Sequence, residues 1–396
     1  MPAQIRADQQ PQGVQWLSII AAIASITLVG IVYGLSTPLL SVILEKRGFS
    51  ASMIGLNTAV AGVAAIAVAP IATPIAARLG VATTMILMVA LAAISFVGFY
   101  FAEAFWLWFP LRAVLNASIT VLFILSEYWI STASPNHRRG LVLGLYATVL
   151  SLGFAFGPWL FSQIGSDGFL PFGVTCAIAA LAAIPLLIAM GESPSLDNEE
   201  GSEGSSFLGY VWLVPTATAA VLVFGAAETG AFALFPIYGG RLGYSEADAA
   251  MLLSMIGLGN VVLQIPLGLI SDRVRDRRIL LLICALAGMA GTLLLPFVAS
   301  YWSLAAVLLF IWGGFIAALY TIGLAHLGSQ LSGRDLASAN AAFVFCYGIG
   351  MTLGPQAIGI GMDTAGPSGF SGSLAIFFAL YALLVGVRLV RRPRRA

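Results

Sequence analysis

Two ionisable side chains sit well inside long apolar stretches, Arg112 and Glu228, and both could move or bind charge. Asn116, Thr120 and Glu127 follow Arg112 at helical spacing. On a helix turning about 100° per residue the four lie within about 80° of one another and share one stripe, expected to face a cavity. A central Arg or acid costs about 2.5–3.5 kcal/mol on insertion scales, so such a group is a functional candidate by default. Arg112 would bind an anionic group or tune a nearby proton site; otherwise it snorkels to the interface beside Trp106 and Trp108. Burial disfavours the charged form of a carboxyl, so a deep Glu can load and release protons. One proton crossing about 100 mV carries about 2.3 kcal/mol, enough for a roughly fifty-fold solute gradient. The competing role for Glu228 is a permanent pair with Arg112, or a hydrogen bond to Tyr33, which stands 195 residues earlier.

Weaker polar candidates surround these two. Tyr33, Asn116, Asn260, Gln264, Asn340 and Tyr347 are expected solute contacts, and Asn260 and Gln264, spaced i to i+4, would otherwise bond neighbouring helices. Glu127 and His326 fall near span ends, where Glu127 is expected to pair with Arg78 or Arg139 and His326 to pack. Cys176, Cys284 and Cys346 show no metal spacing and read as packing residues. No nucleotide loop, metal cluster or nucleophile–base set is present, so neither an enzyme nor an ATP-driven pump is expected, and no cofactor or metal is implied.

The elements that must position these residues follow from composition. With 60% hydrophobic and 9% charged residues, a water-facing surface cannot be built, and the solvent is lipid. Spans of roughly 20 apolar residues are expected at 16–43, 52–77, 83–102, 106–131, 140–163, 169–190, 209–238, 246–271, 279–299, 303–327, 336–362 and 369–390. The fold class is therefore an all-α membrane protein. Placing both termini in the cytoplasm puts every Lys and Arg inside except Lys46, Arg47 and Arg241 outside and Arg112 within a span. Residues 1–13 lack the pattern of a cleaved signal peptide. Net charge of +1 points to no nucleic-acid partner, and the Arg-rich tail reads as an anchor at anionic lipid. Spans three, six, nine and twelve carry almost no polarity and are expected to face lipid, leaving spans one, four, seven and ten, helped by eight and eleven, to line a central path.

The chain repeats itself. Gly153-x-x-x-Gly157-Pro158 returns as Gly350-x-x-x-Gly354-Pro355, the prolines 197 residues apart, and Gly48-Phe-Ser50 returns 195 later as Gly243-Tyr-Ser245. Two pseudo-symmetric six-helix bundles are expected, residues 1–190 and 209–396, joined by an acidic Gly/Ser-rich linker over 191–208. Such repeats suggest halves rocking about a midplane site.

Gly268-Leu-Ile-Ser-Asp272-Arg273-Val-Arg275-Asp-Arg277-Arg278 resembles the loop motif after the second helix of each half in the major facilitator superfamily. The first-half copy keeps only Arg78 and Gly80, and Arg275 replaces a family glycine. The resemblance implies a cytoplasmic gate of Arg78, Glu127, Arg139, Gly268, Asp272, Arg273 and Arg277, with Asp272 accepting helix N-terminal amides. Gly144-x8-Gly153-x3-Gly157-Pro158 is similar to the fifth-helix motif of the superfamily's antiporters, and implies close helix contact and exchange. Arg112 matches the family's fourth-helix arginine. Gln264-x-Pro266-x-Gly268-x-x-x-Asp272 with Ser126-Glu127 resembles the YcaD-like bacterial transporters.

The expectation is a secondary transporter of the bacterial cytoplasmic membrane working by alternating access. A proton-coupled exporter comes first, with Glu228 and Arg112 in coupling. A proton-coupled importer of a small organic solute, or a non-transporting sensor or lipid-moving protein on the same scaffold, are the alternatives. A monomer suffices, in contact with solute, protons and lipid.

Overall fold

The computed structural model describes residues 16–134, 139–194, 208–331 and 333–390. The linker body at 195–207, the tail at 391–396, Arg6 and Arg138 lie outside the described residues, as do the side chains of Arg139 and Arg334. Among the described residues there are 12 helices long and apolar enough to cross a bilayer, and no strand. They are α1 (Trp16–Lys46), α2 (Ala51–Leu79), α3 (Val81–Phe101), α4 (Trp108–Ala133), α5 (Arg139–Ile164) and α6 (Leu170–Ile188) in the first half. The second half holds α7 (Pro215–Arg241), α8 (Glu246–Arg273), α9 (Arg277–Val298), α10 (Trp302–Gly328), α11 (Gly333–Ala365) and α12 (Ser368–Val390). One boundary differs from expectation. The helix expected from 209 is broken: Leu208–Leu213 forms a separate turn and Val214 leaves helical geometry (φ −124, ψ 54). Pro215 causes this, since its ring crowds the residue before it out of the α region.

The repeated sequence produces repeated local structure. Gly48 (φ +85) and Gly243 (φ +94) supply the left-handed turn that ends one helix, and a serine two residues on starts the next. Ser50 accepts from the Met53 amide at 3.3 Å and Ser245 from the Asp248 amide at 3.1 Å, capping α2 and α8. The Gly-x-x-x-Gly copies likewise do one job twice. A Cβ on Gly153 would lie 2.8 Å from the Gly30 Cα, and one on Gly157 2.6 Å from the Gly34 carbonyl carbon, so α5 lies directly on α1. Cβ atoms on Gly350 and Gly354 would lie 2.0 Å from the Leu222 carbonyl oxygen and 2.4 Å from the Ala226 Cα, placing α11 on α7 in the same way. Gly144 departs from its expected packing role: a Cβ there meets open space, because this glycine's face of α5 has no neighbour against it.

Helices α3, α6, α9 and α12 stand at the periphery and turn large apolar side chains outward, among them Ile94, Leu181, Phe297 and Leu383. Between the halves, α2 lies along α11 and α5 along α8. Those seams are stitched by small residues: Gly55 on the Pro355 backbone, Gly62 on Thr352, Gly359 on Ala51 and Gly257 on Ala155.

Charged groups hold the halves together at one end. Lys46, ending α1, lies 2.9 Å from Asp167 and 2.6 Å from Glu246, which begins α8. Arg241, ending α7, lies 3.6 Å from Glu45 and 4.0 Å from Asp363. Asp363 in turn accepts from the first amides of α2, Ala51 at 3.0 Å and Ser52 at 2.8 Å, an anion at a positive helix end. At the opposite, arginine-rich end, no ion pair among the described residues crosses between halves. There α4 makes no substantial packing with α10 or α11, and Glu127 and Asn340 are exposed. The molecule is closed at the Lys46/Arg241 end and parted at the other.

Candidate functional site

Glu228 sits halfway along α7 and receives a hydrogen bond from the Tyr347 hydroxyl of α11 at 2.7 Å. No ion pair to Glu228 occurs among the described residues. Arg112, its partner in the competing reading, turns elsewhere: its Nε donates to Asn57 Oδ1 of α2 at 3.1 Å, and the residue is 1% exposed. Snorkelling is therefore corrected as well. The Trp108 ring beside Arg112 in sequence is covered by the guanidinium of Arg47, 4.9 Å from the ring centroid.

Tyr33 of α1 does approach the Glu228 neighbourhood, but its hydroxyl shares a hydrogen bond with Thr229 at 3.0 Å, one residue on. This bond joins the two halves at mid-depth. Tyr33 packs edge-on to Phe154 at 5.5 Å and near Phe232 at 6.5 Å, an apolar plug between Glu228 and the closed end. On the second half, Phe224 stacks on Tyr347 at 5.8 Å, and Tyr320 of α10 lies 5.4 Å from Phe224 and 6.4 Å from Tyr347. Glu228 is thus surrounded by aromatic rings on the parted side.

Tyr320 lies within electrostatic reach of both Glu228 and the exposed Glu127 on α4. Beside Glu127, Ser126 and the Tyr146 hydroxyl of α5 share a hydrogen bond at 2.9 Å.

Other predicted contacts are less central. Asn116 is buried and donates to the Arg112 carbonyl of its own helix at 2.9 Å. Gln264 donates to Thr321 of α10 at 2.8 Å, tying α8 to α10 within the second half. Asn260, one turn away, is half-buried and its Oδ1 has no hydrogen-bond partner. Asn340 is exposed two turns nearer the arginine-rich end than Tyr347.

The loop after α8 differs from expectation in one residue. Asp276, not Asp272, caps α9, accepting from the Arg278 amide at 3.1 Å and pairing with the Arg278 guanidinium at 2.6 Å. Asp272, in the last turn of α8, is paired with Arg277 at 3.2 Å. Arg277 also donates to the Ala325 carbonyl of α10 and Arg278 to the Arg388 carbonyl of α12, each at 3.3 Å, at the negative ends of those helices. Arg273 is exposed and a Cβ on Gly268 would meet open space. Arg78 and Glu127 are both exposed, and no ion pair joins them, so of the two partners expected for Glu127 the structure does not provide Arg78. The Arg139 side chain lies outside the described residues.

Sequence reasoning missed Asn57 and Tyr320. Asn57 sits in a helix otherwise short of strong polarity, and its partner on another helix emerges only on packing. Tyr320 lies within an apolar stretch of α10, where an aromatic ring carries no polar periodicity to betray it.

Twelve apolar helices in two pseudo-symmetric six-helix bundles, parted at one end over a half-buried carboxyl at mid-depth, define a membrane transporter. The model of the Major Facilitator Superfamily matches residues 22–260 and 217–396, and the chain belongs to that superfamily. It is 26% identical over 351 residues to the uncharacterized MFS-type transporter YfkF of Bacillus subtilis (strain 168), across 86% of this chain and 87% of that one. It is 22% identical over 254 residues to the uncharacterized MFS-type transporter YcaD of Escherichia coli (strain K12 / DH10B), across 64% of each. Among solved structures, the nucleoside transporter NupG superposes with a TM-score of 0.74 at 15% identity, covering 94% of this chain and 98% of that one. A bacterial homologue of the human lysosomal transporter Spinster, in an inward-facing and unoccupied conformation, gives 0.73 at 17% identity, covering 98% and 100%.

Proposed function

We propose that this chain exports a small solute across the bacterial cytoplasmic membrane in exchange for protons, by alternating access between halves 1–190 and 209–396 linked through 191–208. The arginine-rich end faces the cytoplasm by the positive-inside rule, with both termini on that side. The closed Lys46/Arg241 end is then periplasmic, and the described state is open to the cytoplasm. One observation carries the exchange reading: Glu228 is a deep carboxyl facing the parted chamber, held by Tyr347 and balanced by no basic side chain among the described residues. A carboxyl so placed can be neutral while the chamber is empty and give up its proton when solute arrives. Tyr347, Tyr320 and Phe224 supply flat apolar surface for that solute, and Asn260 a free acceptor. Gln264, Asn116 and Asn340 support the walls of the path in this reading, while Arg78, Glu127, Arg139, Asp272, Arg273 and Arg277 would close its cytoplasmic end in the opposite state.

The test is proton flux in everted, respiring vesicles challenged with a compound panel, comparing wild type with Glu228→Gln. Proton release by a compound in wild type alone supports exchange and identifies the solute. A compound that accumulates with inward proton movement would instead establish import. Unchanged coupling in Glu228→Gln would remove that residue from the mechanism.

A further inference from the structure

Arg112 and Asn57 leave two donors unanswered. Both residues are almost wholly buried, at 1% and 0% exposure, and they are joined through Arg112 Nε and Asn57 Oδ1. That bond fixes the orientation of the amide, because a flipped Asn57 would turn its own donors against the guanidinium. Arg112 Nη2 and Asn57 Nδ2 then have no hydrogen-bond partner, and no carboxylate pairs with Arg112 among the described residues. A buried guanidinium and a buried amide donor, side by side and both unpaired, are costly unless something anionic completes them in another state of the molecule. The same pair cannot serve a cation, since each free group is a donor.

The position explains how the site could be reached. Arg112 lies near the closed end of α4 and within electrostatic reach of Tyr33, whose hydroxyl is bonded across the halves to Thr229. Asn57 lies on the face of α2 that meets α4, roughly opposite Gly55 and Gly62, whose faces form the seam with α11. When the halves part at the Lys46/Arg241 end, the Tyr33 bond to Thr229 breaks and the central path beside Arg112 opens.

We infer that Arg112 and Asn57 form a two-donor site for the carboxylate of the transported solute, engaged as the Tyr33 plug opens and the solute passes from the chamber toward the Lys46/Arg241 end. The solute class is a small organic carboxylate, with an apolar body suited to the aromatic surface around Tyr347. A guanidinium nitrogen and an amide nitrogen can each hold one of two carboxylate oxygens. The inference rests on the transporter reading and adds a substrate class to it.

The experiment measures thermal unfolding of the full chain in lipid nanodiscs with sodium benzoate, sodium acetate or sodium phosphate, and with benzamide as the uncharged control. Benzoate is expected to raise the unfolding temperature of the wild type with a saturable dose response that benzamide lacks. Asn57→Asp, which supplies a carboxylate beside Arg112, is expected to raise that temperature without added anion and to abolish the benzoate response. Asn57→Leu should abolish the response without that gain. A phosphate response equal to benzoate would replace the organic carboxylate with an inorganic anion and overturn the assigned class. No benzoate response, an equal benzamide response, or an unaltered response in Asn57→Asp and Asn57→Leu would overturn the site. Binding is read here and not flux, so a failure of proton exchange with the benzoate response intact would sink the exchange reading alone.

Discussion

Lys46, the last residue of α1, lies 2.6 Å from Glu246, the first residue of α8, so the closed end is bolted by charges from opposite halves. Arg241 and Glu45, 3.6 Å apart, repeat the arrangement, and Asp363 of the second half is seated on the α2 amides of the first. Each pair is partly exposed, so each contributes about 0.2–1 kcal/mol at most and together they bias the closed state only severalfold. Lys46→Glu combined with Arg241→Glu should therefore shift the molecule toward opening at this end. Spin-label distances between the ends of α1 and α7 would lengthen in the double variant, and adding Glu246→Lys and Glu45→Lys should restore the short distance. Unmoved distances would show that the seams alone hold this end shut.

Gly157→Leu should disrupt the crossing of α5 on α1, since even a Cβ at this position falls 2.6 Å from backbone. Overpacking of this kind costs about 1–3 kcal/mol, and transport should fall with it. Gly144→Leu is the control, because that position meets open space. Detergent unfolding curves that lowered both variants equally would contradict the assigned crossing.

Asp276→Ala removes both the α9 cap and the 2.6 Å pair with Arg278. Loss of such a cap costs about 1 kcal/mol, so the unfolding temperature should drop by about 2 °C or somewhat less for a chain this size. Asp272→Ala should cost less, since Asp272 caps nothing and is largely exposed. The reverse order would return the capping role to Asp272.

Tyr347→Phe keeps the aromatic surface and removes the hydroxyl that bonds Glu228. If the solute rests on the rings and the proton on Glu228, the variant should bind solute within about threefold of wild type, a difference under about 1 kcal/mol, yet show altered proton coupling. Solute binding by calorimetry alongside vesicle proton flux separates the two. Equal losses in both would show that the hydroxyl serves the solute directly.

Much of the architecture was readable in order along the chain. The span count, the repeat of Gly-x-Ser at Ser50 and Ser245, and the twin Gly-x-x-x-Gly segments depend on local apolar length, capping chemistry and missing Cβ atoms, all of which repeat with the sequence. Gly144 was misread because a glycine announces that close approach is permitted, not that another helix arrives.

The central site was legible in its residue types and not in its pairings. Glu228 and Arg112 stand out in sequence because charge in an apolar span is costly wherever it points. Which partner each takes depends on helices far apart in the chain: Arg112 meets Asn57 and Glu228 meets Tyr347 only because α2 packs on α4 and α11 on α7. Asp276 caps α9 in place of Asp272 because the backbone turns at Val274, a geometry that two nearby aspartates in sequence leave open. The sequence by itself determined a membrane bundle with two buried charges and a repeated frame, since solvent preference and helix spacing act locally. Tertiary structure alone decided which end is bolted, which donors stay unpaired and which rings surround Glu228, because those follow from how the halves lie against each other.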